Sequence, residues 1–150
     1  MDAKAEIGVI KGQAVDDDGL AALFASIETV AIVGLSPDPS KASFGVAQYL
    51  QSYYRIIPVN PNYSEILGEP CYPDLKSVPV PIDLVDVFQR SERIPRLIPD
   101  VIAVRPVCFW MQLGIAHRES AVYLLDAGVA VVEDRCTKID HQRLMGSGQL

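Results

Sequence analysis

The sequence is short of the residues that carry most recognisable chemistry. Its three cysteines, Cys71, Cys108 and Cys136, are scattered and form no Cys-x-x-Cys pair. An odd, dispersed set fits the reduced thiols of a cytoplasmic protein better than a disulfide framework. The two histidines, His117 and His141, lie far apart and match no zinc spacing, so no metal site is expected. No apolar run approaches the ~18 residues needed to span a bilayer, and no membrane partner is expected. Met1 to Glu6 lack a basic segment leading into an apolar core, so no secretory signal is expected there. Positive charge is scarce as well: 13 Lys and Arg stand against 19 Asp and Glu, a net charge of −6. That balance argues against nucleic-acid binding through a basic surface.

What is present describes one globular domain. A chain of 150 residues, 49% hydrophobic and 21% charged, is long enough for a single core. Residues 1–28 hold two basic and six acidic side chains, a net of −4, which leaves a body close to neutral. A body of that kind still focuses a few cations onto a small polyanion.

Along the chain, residues 1–15 show no period and are expected to form a flexible N-terminal arm, with residues 16–145 as the domain and 146–150 as a C-terminal tail. Leu20, Leu23, Phe24 and Ile27 follow helical spacing, and Asp16, Asp17 and Asp18 suit its N-terminal end, as caps and solvated charge rather than metal ligands. Apolar strands are expected at 30–34, 55–60, 84–88, 107–110 and 129–132. Between them lie a helix capped by Ser43, a proline-rich loop over 61–82, a helix over about 92–103 with Pro99 marking a kink or break, and a helix from Ala116 to Asp126 ended by Gly128. Strands alternating with helices predict an α/β fold: a doubly wound, mostly parallel sheet of about five strands, with ligands bound beyond the strand ends.

Four of those strand ends carry polar or glycine-containing segments. The first, Gly34 to Gly45, contains Ser36, Lys41, Ser43 and Phe44. A strand end leading into a helix start offers free N–H groups to a phosphate, but this is neither Gly-x-Gly-x-x-Gly nor a Walker loop, and an ordinary strand–helix turn explains it equally. The second, Pro58-Val59-Asn60-Pro61, holds an asparagine between prolines where a dinucleotide fold usually places an acid for the ribose 2′-hydroxyl. Asn60 tolerates a phosphorylated ribose; as a turn initiator it is equally well explained. The third, Phe88-Gln89-Arg90 with Arg93 and Arg96 following, suits either an adenine and phosphate or a solvated helix face. The fourth, Trp110-Met111-Gln112-Leu113-Gly114, leaves Trp110 open between core and crevice. Cys136 has Lys138 and His141 nearby but reads as a satisfied thiol, and no nucleophile–base–orienter set stands out.

Taken together, the four ends resemble the small, single-domain CoA-binding proteins, relatives of the N-terminal CoA-binding domain of the succinyl-CoA synthetase alpha subunit. The resemblance covers roughly residues 20–145. It rests on Val33-Gly34-Leu35-Ser36, Lys41 to Ala47, Pro58 to Pro61, Ile66-Leu67-Gly68, Val85 to Phe88, Trp110 to Gly114, and Asp134-Arg135-Cys136. It implies a Rossmann-like domain with coenzyme A across the strand ends. By similarity, the loop from Gly34 to Ser43, with Leu35 and Ser36, cradles the diphosphate, Lys41 meets a phosphate, and Phe44 is among the cofactor-binding residues. Asn60 and Pro61 lie by the ribose 3′-phosphate and adenine, Phe88 and Arg90 border the nucleotide, and Trp110, Gln112 and Gly114 line the other side. The synthetase's phosphorylated histidine belongs to a further domain, so catalysis is not carried over.

The sequence departs from the family at three places. Tyr53-Tyr54 stands where Gly-Tyr is usual, Gln89 intervenes between Phe88 and Arg90, and His117 replaces a common asparagine. The expected function is therefore a cytoplasmic module that binds CoA or acyl-CoA without identified catalysis, with a homodimer among its arrangements. The alternatives are an NAD(P)-binding oxidoreductase domain, or a non-catalytic subunit docking on an acyl-CoA enzyme.

Overall fold

A computed structural model describes residues 16–150; the arm expected over 1–15 lies outside the described residues. In chain order the elements are α1 (Asp17–Ser26), β1 (Thr29–Val33), α2 (Ala42–Leu50), β2 (Arg55–Val59), β3 (Glu65–Ile66), β4 (Glu69–Pro70), a 3-10 turn (Leu75–Ser77), β5 (Leu84–Val87), a second 3-10 turn (Ser91–Arg93), α3 (Ile94–Val104), β6 (Cys108–Met111), α4 (Arg118–Asp126), β7 (Ala130–Val132) and α5 (Thr137–Gly146).

The main sheet has the order β2-β1-β5-β6-β7, with every pairing parallel. From β1 the chain moves outward to β2, then returns to β5 on the other side of β1. That reversal opens a crevice at the strand ends between β1 and β5. Alternate residues go to opposite faces. Val30, Ile32, Ile56, Leu84 and Trp110 pack with α1, α2 and α5. Ala31, Val33, Val85, Val87 and Phe109 pack with α3 and α4. Both faces are covered, which is why the strands read as continuous apolar runs.

Local chemistry sets the boundaries. The Asp16 carboxylate accepts the Asp18 N–H at 2.9 Å and caps α1. α4 closes as a Schellman motif: Gly128, at φ +88°, donates to Leu125 and Val129 donates to Leu124. α2 ends without a glycine, its last carbonyls taken by the N–H groups of Ser52, Tyr53 and Tyr54. Leu67 and Gly68, both at positive φ, form the two-residue turn of the β3–β4 hairpin inside the proline-rich stretch.

Two expectations change, and one helix is new. Ser43 is not the cap of α2; Lys41 holds that position, and Ser43 lies inside the first turn. Pro99 does not end α3, which runs through it. The proline costs one backbone bond at an exposed position, while Ile94 and Val101 are fully buried and hold the helix to the sheet. α5 was not anticipated, because most of its buried face is polar: Thr137, Asp140 and His141 beside Leu144. Among the described residues no helix is long and apolar enough to cross a membrane.

Candidate functional site

Register aligns the last residues of four strands: Val59, Val33, Val87 and Met111 lie side by side across the sheet. The segments that follow them form the rim of the crevice.

Gly34 is the tightest point. It has φ +84°, and a Cβ there would sit 2.6 Å from the Phe88 carbonyl oxygen. Its N–H donates to Val59 and the Phe88 N–H donates to Val33, so β1 is tied to both neighbours just at the crevice floor. Leu35 turns its side chain into the core, fully buried. Its carbonyl accepts the Asn60 amide, Nδ2 to O, at 3.0 Å.

The loop from Ser36 to Lys41 is braced by its own side chains. Ser43 Oγ accepts the Ser36 N–H at 3.0 Å, and Ser36 Oγ accepts the Asp38 N–H at 3.1 Å. The Asp38 carboxylate accepts the backbone N–H and the hydroxyl of Ser40, which hold its carboxyl below the usual range. α2 then starts with no side-chain cap and no acid in its first turn. Lys41 at the cap position is exposed, and Phe44 behind it is half-buried. A helix start of this kind keeps unsatisfied N–H groups and the positive end of the dipole facing the rim.

At the β2 end, Asn60 uses both halves of its amide. Nδ2 donates to Leu35, and Oδ1 accepts the Asn62 N–H at 3.0 Å. The residue thus initiates the turn and ties the β1 and β2 ends together. The Cys71 thiol donates to the Asn60 carbonyl, and burial pushes that thiol up.

Two pockets open on the rim. One of about 170 Å³ lies on the α3 side, against Val33, Val59 and Pro61, with Arg93 and Arg96 also lining it. The other, about 420 Å³, lies at the β5 and β6 ends, between Phe88, Arg90 and Gly114. Gln89 lines both. Its Nε2 lies 3.3 Å from where a Gly34 Cβ would be. Arg90 is turned to solvent and sits 3.2 Å from Glu92, an exposed pair of little energetic weight. Sequence reasoning treated Gln89 only as an interruption. No sequence signal marks it, because its place depends on where β5 stops.

The β6 end divides its residues between core and rim. Trp110 is fully buried, 5.6 Å from the Phe24 ring, and its indole N–H donates to the Arg135 carbonyl at 2.8 Å. Its side chain therefore belongs to the core. Gln112 is only 4% exposed. Its Nε2 donates to Asp86 and to Thr137 Oγ1, while the Thr137 hydroxyl donates to Asp86 at 2.9 Å. Burial outweighs these bonds and pushes the Asp86 carboxyl up to about 7. Gly114 stays on the rim at φ +80°, its N–H donating to the Asp134 carboxylate at 2.7 Å. His117, which had no role from sequence, caps α4 by accepting the Ser120 N–H on Nδ1, as an asparagine would. Cys136 is half-buried at the cap of α5, and all three thiols are free.

Comparison with known proteins places this geometry. The CoA binding domain family matches residues 28–142. Protein YneT of Bacillus subtilis (strain 168) is 38% identical over 113 residues, 75% of this chain and 84% of that protein. A solved structure from Thermus thermophilus superposes with a TM-score of 0.84 at 37% identity, over 87% of this chain and 99% of that one. An ADP-forming acetate–CoA ligase of Archaeoglobus fulgidus is 31% identical over 74 residues, which are 49% of this chain and 11% of the ligase. The matched region holds all four strand ends and the uncapped start of α2, and the chain belongs to the CoA binding domain family.

Proposed function

We propose that this protein binds coenzyme A, free or acylated, across the C-terminal ends of its parallel strands. The observation that carries this reading is the start of α2. A helix begins beside the strand-order reversal with a lysine at its cap, no side-chain acceptor and no acid in its first turn, which suits a diphosphate. Gly34 and Ser36 border that diphosphate and Lys41 pairs with it. The adenosine end takes the pocket beside Pro61, with Asn60 holding its wall in place. The pantetheine arm takes the pocket between Phe88 and Gly114. An amide at Asn60, unlike the carboxylate usual for NAD, does not repel a phosphate on the ribose.

No residue is assigned to catalysis, and the protein acts as a binding or regulatory module. Its three free thiols suit a cytoplasmic setting. Titration calorimetry with CoA and NAD tests the reading: CoA binds at one site per chain and NAD binds more weakly. Tighter binding of NAD would contradict it.

A further inference from the structure

We infer that Arg93 and Arg96 read a phosphate on the ribose of the bound nucleotide, and so discriminate CoA from dephospho-CoA; this rests on the CoA reading above. The pocket they line has apolar walls from Pro61, Leu75 and Leu97, suited to a flat base. Arg93 closes the 3-10 turn before α3, and Arg96 follows in the first turn of that helix. Spacing of i, i+3 on one helical turn directs both side chains to one side.

Both guanidiniums are exposed, and neither has an ion-pair partner among the described residues. The two acids that share the pocket are engaged elsewhere. Asp74 accepts the N–H and hydroxyl of Ser77 at 2.9 and 2.7 Å. Asp100 lies 3.9 Å from Lys76. Two arginines without ion-pair partners, lining one pocket, match a phosphate monoester, whose oxygens suit the planar guanidinium fork.

Lys41 does not line this pocket; it stands at the start of α2, on the opposite face of the sheet from α3. The rim therefore carries two separate cationic stations. CoA carries two separate anionic groups, a diphosphate and a ribose phosphate. Dephospho-CoA keeps only the first.

The experiment is a titration of wild type, Arg93→Gln, Arg96→Gln and the double variant with CoA and with dephospho-CoA. Wild type binds CoA more tightly. Each single substitution lowers CoA affinity about tenfold, the scale of one charge-assisted hydrogen bond, and leaves dephospho-CoA unchanged; the double variant binds the two ligands alike. Lys41→Gln weakens both ligands equally. Arg55→Gln removes the same charge at the start of β2, the opposite end of the sheet, and changes neither. Equal wild-type affinity for the two ligands, or equal loss of both in the arginine variants, overturns the inference while leaving CoA binding intact. Failure of wild type to bind either ligand overturns the CoA reading itself, and this inference with it.

Discussion

A β-carbon on Gly34 would stand 2.6 Å from the carbonyl oxygen of Phe88, backbone against side chain, at a φ of +84°. No neighbouring rotamer change relieves that clash, because the obstructing atom belongs to the chain just beyond β5. Gly34→Ala therefore combines left-handed strain with overpacking and destabilises the fold by about 2–4 kcal/mol. Urea unfolding checks this as a lower midpoint at unchanged slope. A midpoint equal to wild type would mean that the β1 and β5 ends move apart freely.

Asp86 makes stability fall as pH rises. Its carboxyl is pushed from the ordinary 3.8 to about 7 in the folded chain. Between those values the folded protein keeps a proton that the unfolded chain has released. The stabilisation is thus fully present below about pH 4 and is lost as pH rises through about 7. Asp86→Asn keeps an acceptor for Gln112 and removes the titration. From pH 4 to 8 the urea midpoint of wild type should fall relative to that of the variant; parallel profiles would contradict the assignment.

The Tyr49 hydroxyl lies 2.6 Å from His141 Nδ1, in a cluster that also packs Phe24, Tyr53 and Tyr54 around the imidazole. Burial lowers the His141 pKa, so the buried ring is held neutral and that stabilisation is lost as pH falls below the ordinary 6.5. Tyr49→Phe removes the phenol partner of a buried ring nitrogen and costs about 1–3 kcal/mol at neutral pH. Thermal unfolding at pH 7.5 measures it, and an unchanged midpoint would remove the bond from the stability of the α2–α5 contact.

The sheet was legible because both of its faces are covered, so each strand appears as an apolar run bounded by polar residues. α5 was not, since a helix that buries Thr137, Asp140 and His141 carries little apolar period. Trp110 stayed ambiguous for a different reason. A strand directs alternate residues to opposite faces, and only the register with Asp86 and Val132 sends the indole toward Phe24 rather than the rim. Asn60 was recognisable as a strand end, yet its bond to the Leu35 carbonyl joins positions 25 residues apart. Gln89 was invisible as a rim residue because its approach to Gly34 depends on where β5 stops.

Asn60→Asp separates the two uses of that amide. The carboxylate still accepts the Asn62 N–H, but its second oxygen faces the Leu35 carbonyl at the 3.0 Å now spanned by a hydrogen bond. Two acceptors in place of a donor and an acceptor cost about 1–3 kcal/mol, and the added negative charge weakens CoA. Unfolding midpoints and CoA titration of this variant measure the two effects separately; full retention of CoA affinity would remove Asn60 from the nucleotide end of the site.

The most direct measurement is thermal unfolding of the full chain with CoA at about 100 times its dissociation constant, with NAD at the same concentration in parallel. Binding to the folded state alone raises unfolding free energy by about 2.7 kcal/mol at that saturation. The strand-end site predicts that upward shift with CoA and a smaller one with NAD. No shift with CoA, or a larger one with NAD, would contradict it.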